Sequence, residues 1–512
     1  MIDLFGESFM AIINDIEKLS YVKKLGCFEQ SFRLELKTDI DSEQVKKVLC
    51  FNPKAQITSS TIVENAVEVK GACSFYIGYL DSENALKKVE CASEFKELVN
   101  TQLKQEGLSE KTFVSIEKAE VELSSIKMTA MLYLKLTTEI SSQQVVNAIV
   151  GGQGLICQKK SVSLVKPLCS KQATAMLDEE FELGYVVGEV VCQTHSAVVT
   201  AVQCGVNSII VDGEVFLALI LLQSGEKRYI IKENRKIPFR YEIECEDAMP
   251  QNVAKACAEV KWLKTDISCD EQKNISLVKL EVAVNIFASA SAVVEYELLQ
   301  DAFSLTNRLE IVKESFNQDV TAEQMVITKA FTQSLELQDL PSEARLLQSV
   351  AESVEILSIE QKQESLTVCG VINGVQLFTD DEDRLFTKKT QSPFEFSLDF
   401  DSQKQAKVSA VIERADSRLV GATSIEVSAR VVFTICPSHT EEIEYISQII
   451  EKDEKQENTS PISVYIAIKG ESVWDLAKRL NIPPEKIVEL NKELQFPLSG
   501  EERIIIYRQL QN

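Results

Sequence analysis

Histidine is nearly missing from this 512-residue chain: there are two, His195 and His439, and each stands alone. Metal centres and nucleophile–base pairs built on imidazole are therefore all but excluded by composition. Both histidines read as loop residues, His439 beside Pro437 and His195 between strands. A phosphate loop ending in Lys-Ser/Thr, a dinucleotide fingerprint with its acid and a helical H-E-x-x-H are missing too. Gly151-Gly152-Gln153-Gly154 has the glycines of a phosphate cradle but no following Lys-Ser/Thr, and reads as a loop. No run approaches ~20 uninterrupted apolar residues, the length a membrane helix needs. Basic surplus is absent as well. The formal net charge is −24 and the pI about 4.8, which disfavours nucleic acid and anionic membrane surfaces. The N-terminus, Met1-Ile2-Asp3-Leu4-Phe5-Gly6-Glu7, places acids where a secretory signal needs cations, and Asp15, Glu17 and Lys18 interrupt any apolar core. The expectation is a short amphipathic segment, residues 1–25, on an unexported chain. Cysteine is not scarce, but patterned pairs are. Thirteen cysteines run from Cys27 to Cys436 with none at C-x-x-C spacing. Cys73 and Cys369 lie in strand-like runs as small apolar residues, and Cys245, Cys257 and Cys269 recur every twelve residues without a histidine nearby. A reducing compartment is expected.

What is present is apolar material, 45% of residues, and length enough for about three to four domains of roughly 100–200 residues. An internal repeat organises most of it. Phe28-Glu29-Gln30-Ser31-Phe32 is echoed by Phe331-Thr332-Gln333-Ser334-Leu335, and more loosely from Leu177 to Leu183. A strand with a central glycine follows each time, at Gly71, Gly213 and Gly370, a period on the order of 150 residues. Polar turns come next, at residues 81–84, 223–226 and 380–383, and then strands ending near Phe95, Phe239 and Phe394, a hairpin pattern. The acids Asp380-Asp381-Glu382-Asp383 read as a solvated hairpin tip. The glycines predict bulges or close backbone approaches, and a slip in alternation after Gly370 predicts a bulge there.

Each copy closes on a strictly alternating strand: Met128, Ala130, Leu132, Leu134 and Leu136; Val278, Leu280, Val282, Val284 and Ile286; Ile425, Val427, Ala429, Val431, Phe433 and Ile435. Such period-two burial means half-exposed antiparallel strands. The expected fold is mainly β, with three antiparallel sandwich- or barrel-like domains at residues 26–150, 151–300 and 301–437. The segments 138–175 and 289–325 bridge copies and belong to either neighbour. Glu441 to Glu451 reads as a short acidic helix with Ile443, Ile446, Ile449 and Ile450 on one side, a partner stripe or a packing face. With the polar tether that follows, it makes residues 438–462 a linker.

Residues 463–510 read as a small βααβ unit. Val464, Ile466 and Ile468 alternate as a strand with one buried face. Gly470 ends it, and Ser472 with Asp475 suggests a capping box. Val473, Trp474, Leu476, Ala477 and Leu480 share a helical face, Pro484 opens a second helix buried through Ile487, Val488 and Leu490, and Ile504 to Ile506 form the returning strand. Trp474 suits either the module's core or a sugar-stacking platform.

The turn Gly470-Glu471-Ser472, the helix aromatic Trp474 and Asn491 after the second helix make this unit resemble the LysM family. The resemblance implies a shallow groove for N-acetylglucosamine polymers, lined by Gly470, Glu471, Ser472 and the segment around Asn491. Glu471 stands where the family usually has Asp, and Tyr507 where it has proline. Three β repeats followed by such a module resemble, as a whole chain, the SipL family of spore-coat morphogenetic proteins. That resemblance implies a non-enzymatic scaffold without cofactor or metal, located in the mother-cell cytoplasm at the forespore surface. Its LysM module would dock a SpoIVA-like coat ATPase. The alternatives are a peptidoglycan-binding wall or cortex protein and a wall hydrolase with a LysM targeting module.

Overall fold

The computed structural model describes residues 14–507, except 84, 104–106, 124–125, 226–228, 342, 363, 383, 402–403, 456–461 and 501. The first thirteen residues of the expected N-terminal segment and the tether at 456–461 lie outside the described residues. Among the described residues the chain is mainly β, in antiparallel sheets, with two short α-helices near the C-terminus. Among the described residues no helix is long and apolar enough to cross a membrane.

Nineteen strands fall into three sets. The first is β1 (Asn14–Asp41), β2 (Val45–Val63), β3 (Ala66–Asp81), β4 (Leu86–Asn100), β5 (Leu108–Glu122) and β6 (Lys127–Gly152), paired as sheets β1-β6-β5 and β2-β3-β4. The second is β7 (Leu155–Leu183), β8 (Val187–Cys204), β9 (Ser208–Gln223), β10 (Ile230–Glu244), β11 (Val253–Asp270) and β12 (Ile275–Ser304), paired as β7-β12-β11 and β8-β9-β10. In the third, β13 (Asn307–Thr321) and β14 (Met325–Glu336) share the place of β1. Both lie along β19 (Ser424–Glu454), which takes β18 (Gln405–Val420) on its other side. β15 (Arg345–Lys362), β16 (Ser365–Thr379) and β17 (Leu385–Asp399) form the facing sheet.

Within each set the two sheets bury their inner faces against each other. Val67, Val69, Phe75 and Ile77 of β3 meet Met128, Leu132 and Leu136 of β6, and corresponding residues of β9 and β12, and of β16 and β19, fill the other two cores. Each such side chain contributes roughly 1.5–3 kcal/mol when fully buried. The alternating residues of the closing strands are all buried.

The repeated glycine has a repeated cause. Gly71, Gly213 and Gly370 pair across the sheet with Phe95, Phe239 and Phe394, whose rings lie over them. A Cβ at Gly71 would sit 2.2 Å from the Phe95 ring and 2.5 Å from the carbonyl of Gln56. At Gly213 the distances are 2.2 Å to Phe239 and 2.6 Å to the Val198 carbonyl, and at Gly370 they are 2.4 Å to Phe394 and 2.3 Å to the Glu355 carbonyl. The expected bulge beside Gly370 is one strand over: β16 runs in regular register with β17, and the extra residue belongs to β15.

The strand on that side carries three bulges in every set, at Lys46, Leu49 and Thr58 of β2, Gly188, Val191 and Thr200 of β8, and Leu347, Val350 and Leu357 of β15. The middle bulge turns its extra residue inward. Leu49, Val191 and Val350 are buried in one core to which all three sets contribute, with Tyr76, Leu80, Ile220 and Leu377. A second shared core joins the outer halves of the long strands: Leu19, Tyr21 and Ala148, Leu164 and Leu298, and Phe316, Ile443 and Tyr445. Tyr21 stacks on Phe316 at 3.9 Å. Each set touches both others, so the three close around a threefold pseudo-axis.

Strand ends also correct the expected organisation. β6 and β12 run through residues 150 and 300, so the bridging segments divide at the turns 153–154 and 305–306. The acidic helix expected at Glu441–Glu451 is instead part of the second half of β19, paired with β13. A bulge at Ser447 shifts the strand's alternation, which leaves isoleucines at spacings that imitate a helical period. Pro437 lies inside β19, opposite the break between β13 and β14, where no strand needs the N–H it lacks. Both histidines stand in strands, His195 in β8 and His439 in β19.

Candidate functional site

The C-terminal module is β20 (Ile462–Ile466), α1 (Val473–Leu480), α2 (Pro484–Leu490) and β21 (Arg503–Tyr507), the two strands pairing antiparallel. Ala467, Leu476, Ala477, Leu480, Ile487, Ile504 and Ile506 make its core. The capping box at Ser472 is complete: its Oγ accepts the Asp475 N–H at 3.1 Å, and the Asp475 carboxylate accepts the Ser472 N–H at 3.1 Å.

The five residues expected to line a groove are largely engaged within the chain. Gly470 turns the backbone at φ +84° and donates its N–H to the Leu498 carbonyl at 2.8 Å. The Leu498 N–H returns a bond to the Glu471 carbonyl at 3.0 Å, so the two loops that would wall the groove are tied directly together. The buried Glu471 carboxylate accepts from Arg479 Nε at 2.7 Å and Nη2 at 2.9 Å, a paired geometry that occupies it. Asn491 clips α2 to β21: its Oδ1 accepts the Ile505 N–H at 2.9 Å, and its Nδ2 donates to the carbonyls of Ile487 and Ile505, each at 3.0 Å.

Trp474 faces the β body. Its Nε1 donates to Asp301 Oδ2 at 2.8 Å, and its ring meets Phe303 edge-on at 5.3 Å. Lys478 Nζ reaches both Asp301 oxygens at 2.8 Å, and Asn481 Nδ2 donates to the Leu305 carbonyl at 2.5 Å. The module is thus seated, through α1, on the end of β12. Hydrogen bonds and the Lys478 ammonium hold Asp301 below the ordinary carboxylate range despite its partial burial.

The outer face of the small sheet is the reverse of the expected one. Ile462, Val464 and Ile466 are 59%, 60% and 72% exposed, joined across the register by Ile505 and Arg503. The inner face takes Tyr465 and Ala467 instead. Ile468 and Val488 are exposed too. Among the described residues no third strand joins the pair.

Polar groups also meet at the seams between strand sets. Between the second and third lies a cavity of about 200 Å³ with His195, Ser196, Lys232, Asn234, Glu352 and Arg414 among its walls. Lys232 is ion-paired there with Glu352, and its Nζ donates to the Ala415 carbonyl at 2.6 Å. Across the seam between the first and second sets, Lys54 Nζ stands 2.6 Å from His195 Nδ1. Burial pushes the Lys54 ammonium down to about 7, and burial and then Lys54 hold His195 well below its ordinary value. Unfolded Lys54 would keep its proton to near 10.5, so between about pH 7 and 10.5 the unfolded chain binds a proton the folded chain does not. Stability should climb across that window and fall as pH drops toward 7. Lys54→Met should flatten the climb, measured as urea midpoints at several pH values for both chains. Equal slopes would mean that the ammonium is hydrated in the fold.

No group of metal-ligating side chains occurs among the described residues. Asp380 is a hairpin-turn residue whose Oδ1 accepts the N–H groups of Glu382 at 3.0 Å and Arg384 at 2.9 Å. No family model matches the chain, and neither curated proteins nor solved structures provide a match. Asp301 and Phe303 went unseen in the sequence because no local pattern links them to Trp474, 173 residues away from Asp301.

Proposed function

We propose that this chain is a non-enzymatic scaffold of SipL type: a threefold β body of sandwich-like repeats carrying a LysM-like module that docks a SpoIVA-like coat ATPase at the forespore surface. The observation that carries this reading is the module's division of labour. Glu471 and Asn491 are satisfied internally and Trp474 is spent on the body, while Ile462, Val464, Ile466 and Ile505 stand outward. Sugar recognition wants convergent polar groups beside an aromatic platform, whereas an exposed apolar sheet face suits a protein surface. The net charge of −24 favours selected partners over non-specific clumping.

The full chain and its Val464→Asp/Ile466→Lys variant should be assayed for binding to the ATPase and to purified peptidoglycan. A loss of at least tenfold in ATPase affinity, with circular dichroism unchanged, is expected. Undiminished ATPase binding by the variant would overturn the assignment of the face. Saturable binding to wall with none to the ATPase would overturn the scaffold reading and favour the glycan-binding alternative.

A further inference from the structure

Two cysteines from different strand sets meet in the core on the pseudo-axis. Cys50 and Cys192 occupy the same station, immediately after the middle bulge of β2 and β8, opposite Gly78 and Ile220. They are 2% and 0% exposed and belong to one cluster. The local geometry brings the two strands close. A Cβ on Gly78 would lie 2.8 Å from Cys50 Sγ and 3.2 Å from the carbonyl of Val191, the residue bonded to Cys192. Tyr76 Oη donates to that same carbonyl at 2.6 Å, fixing β3 to β8 beside the pair. The third set has alanine, Ala351, at this register, so no third cysteine stands at the equivalent station.

We propose that Cys50 and Cys192 are a redox modification site, forming under peroxide a disulfide that clasps the first strand set to the second. Cys192, and to a lesser degree the Gly78 backbone, hold the Cys50 thiol below its ordinary value and favour a thiolate there, while Cys50 and burial push Cys192 up, so it stays protonated. The Cys50 thiolate attacks one peroxide oxygen, the O–O bond breaks, and the departing hydroxide takes a proton to become water. Cys192 sulfur then attacks the resulting sulfenic sulfur. The S–O bond breaks, and the leaving hydroxide takes the Cys192 proton as a second water. Two thiols lose two electrons in all, and one peroxide gains them. Peroxide is close to water in size and suits a buried pair that a bulky disulfide reagent would reach only after the seam opened.

A second close pair, Cys169 and Cys245, lies wholly within the second set and would only link strands of one unit. The bond between sets is the one that would fasten the body shut.

The test uses the full reduced chain, titrated with hydrogen peroxide, blocked with a maleimide and digested without reductant. The expected result is coordinated loss of the Cys50 and Cys192 thiols into one cross-linked peptide pair, with the thermal midpoint raised by several degrees. Cys192→Ala, which copies the third set's own alanine, should abolish both changes while folding normally. If both residues remain open to maleimide after denaturation of peroxide-treated chain, or if they over-oxidise independently, the clasp does not exist.

Discussion

Gly213→Val should cost the chain more than about 3 kcal/mol and disorder the second strand set, although valine is ordinarily the better strand residue. The new Cβ would meet the Phe239 ring at 2.2 Å and the Val198 carbonyl at 2.6 Å. The ring can turn aside, but the carbonyl is held by the bulged backbone at Val199–Ala201 and cannot. Relief by Phe239→Leu should therefore be partial. Gly184→Ala is the control, since its Cβ would meet nothing within 4 Å, and it should be neutral. Urea midpoints by circular dichroism decide between these outcomes. A Gly213→Val chain as stable as its parent would mean that the glycine–phenylalanine pairs are incidental to the repeat.

The three glycine–phenylalanine pairs also show what was legible in the sequence. The recurrence of Gly71, Gly213 and Gly370 and the alternation of the closing strands are local patterns, and they located the strands on which the cores are built. The reason for the glycine was not legible, because both obstacles come from neighbouring strands. Cys50 and Cys192 lay between these cases. Each precedes its glycine by the same 21 residues, a coincidence visible in the sequence but meaningless until the sets are seen to face one another. Failures came where strand pairing altered a period: the bulge at Ser447 made a strand look helical.

In the C-terminal module only the buried face of the first strand differs from expectation, and for another reason. In a two-stranded sheet only one face is covered, and alternation cannot say which. The alternation of Val464, Ile466 and Ile468 marks a face but not its direction, and Tyr465 and Ala467 are the residues that face the helices. An apolar strand face turned to solvent is a conflict between sequence and burial, and such conflicts concentrate at functional surfaces. Hydrogen bonds inside the module and to β12, invisible in sequence, engage Glu471, Asn491 and Trp474.

Glu352→Ala should destabilise the body by about 3–5 kcal/mol, the usual cost of leaving one member of a buried ion pair alone. The side chains of Lys232 and Glu352 are only 2% and 7% exposed, and they join β10 of the second set to β15 of the third. Lys232 also holds the Ala415 carbonyl of β18, so the orphaned ammonium would retain a single acceptor. The adjoining cavity of about 200 Å³ is roomy enough to admit water, which places the expected loss toward the lower end of the range. Replacing both partners by apolar residues of similar volume, Lys232→Met with Glu352→Leu, should recover most of it, because the charge and its desolvation leave together. The double-mutant cycle would then give a coupling of at least 2 kcal/mol, with hydrogen exchange in the single variant rising first along β10, β15 and β18. A loss below about 1 kcal/mol for Glu352→Ala, or additive behaviour in the cycle, would show that water solvates the ammonium in the cavity and that the second and third sets are held by apolar packing alone.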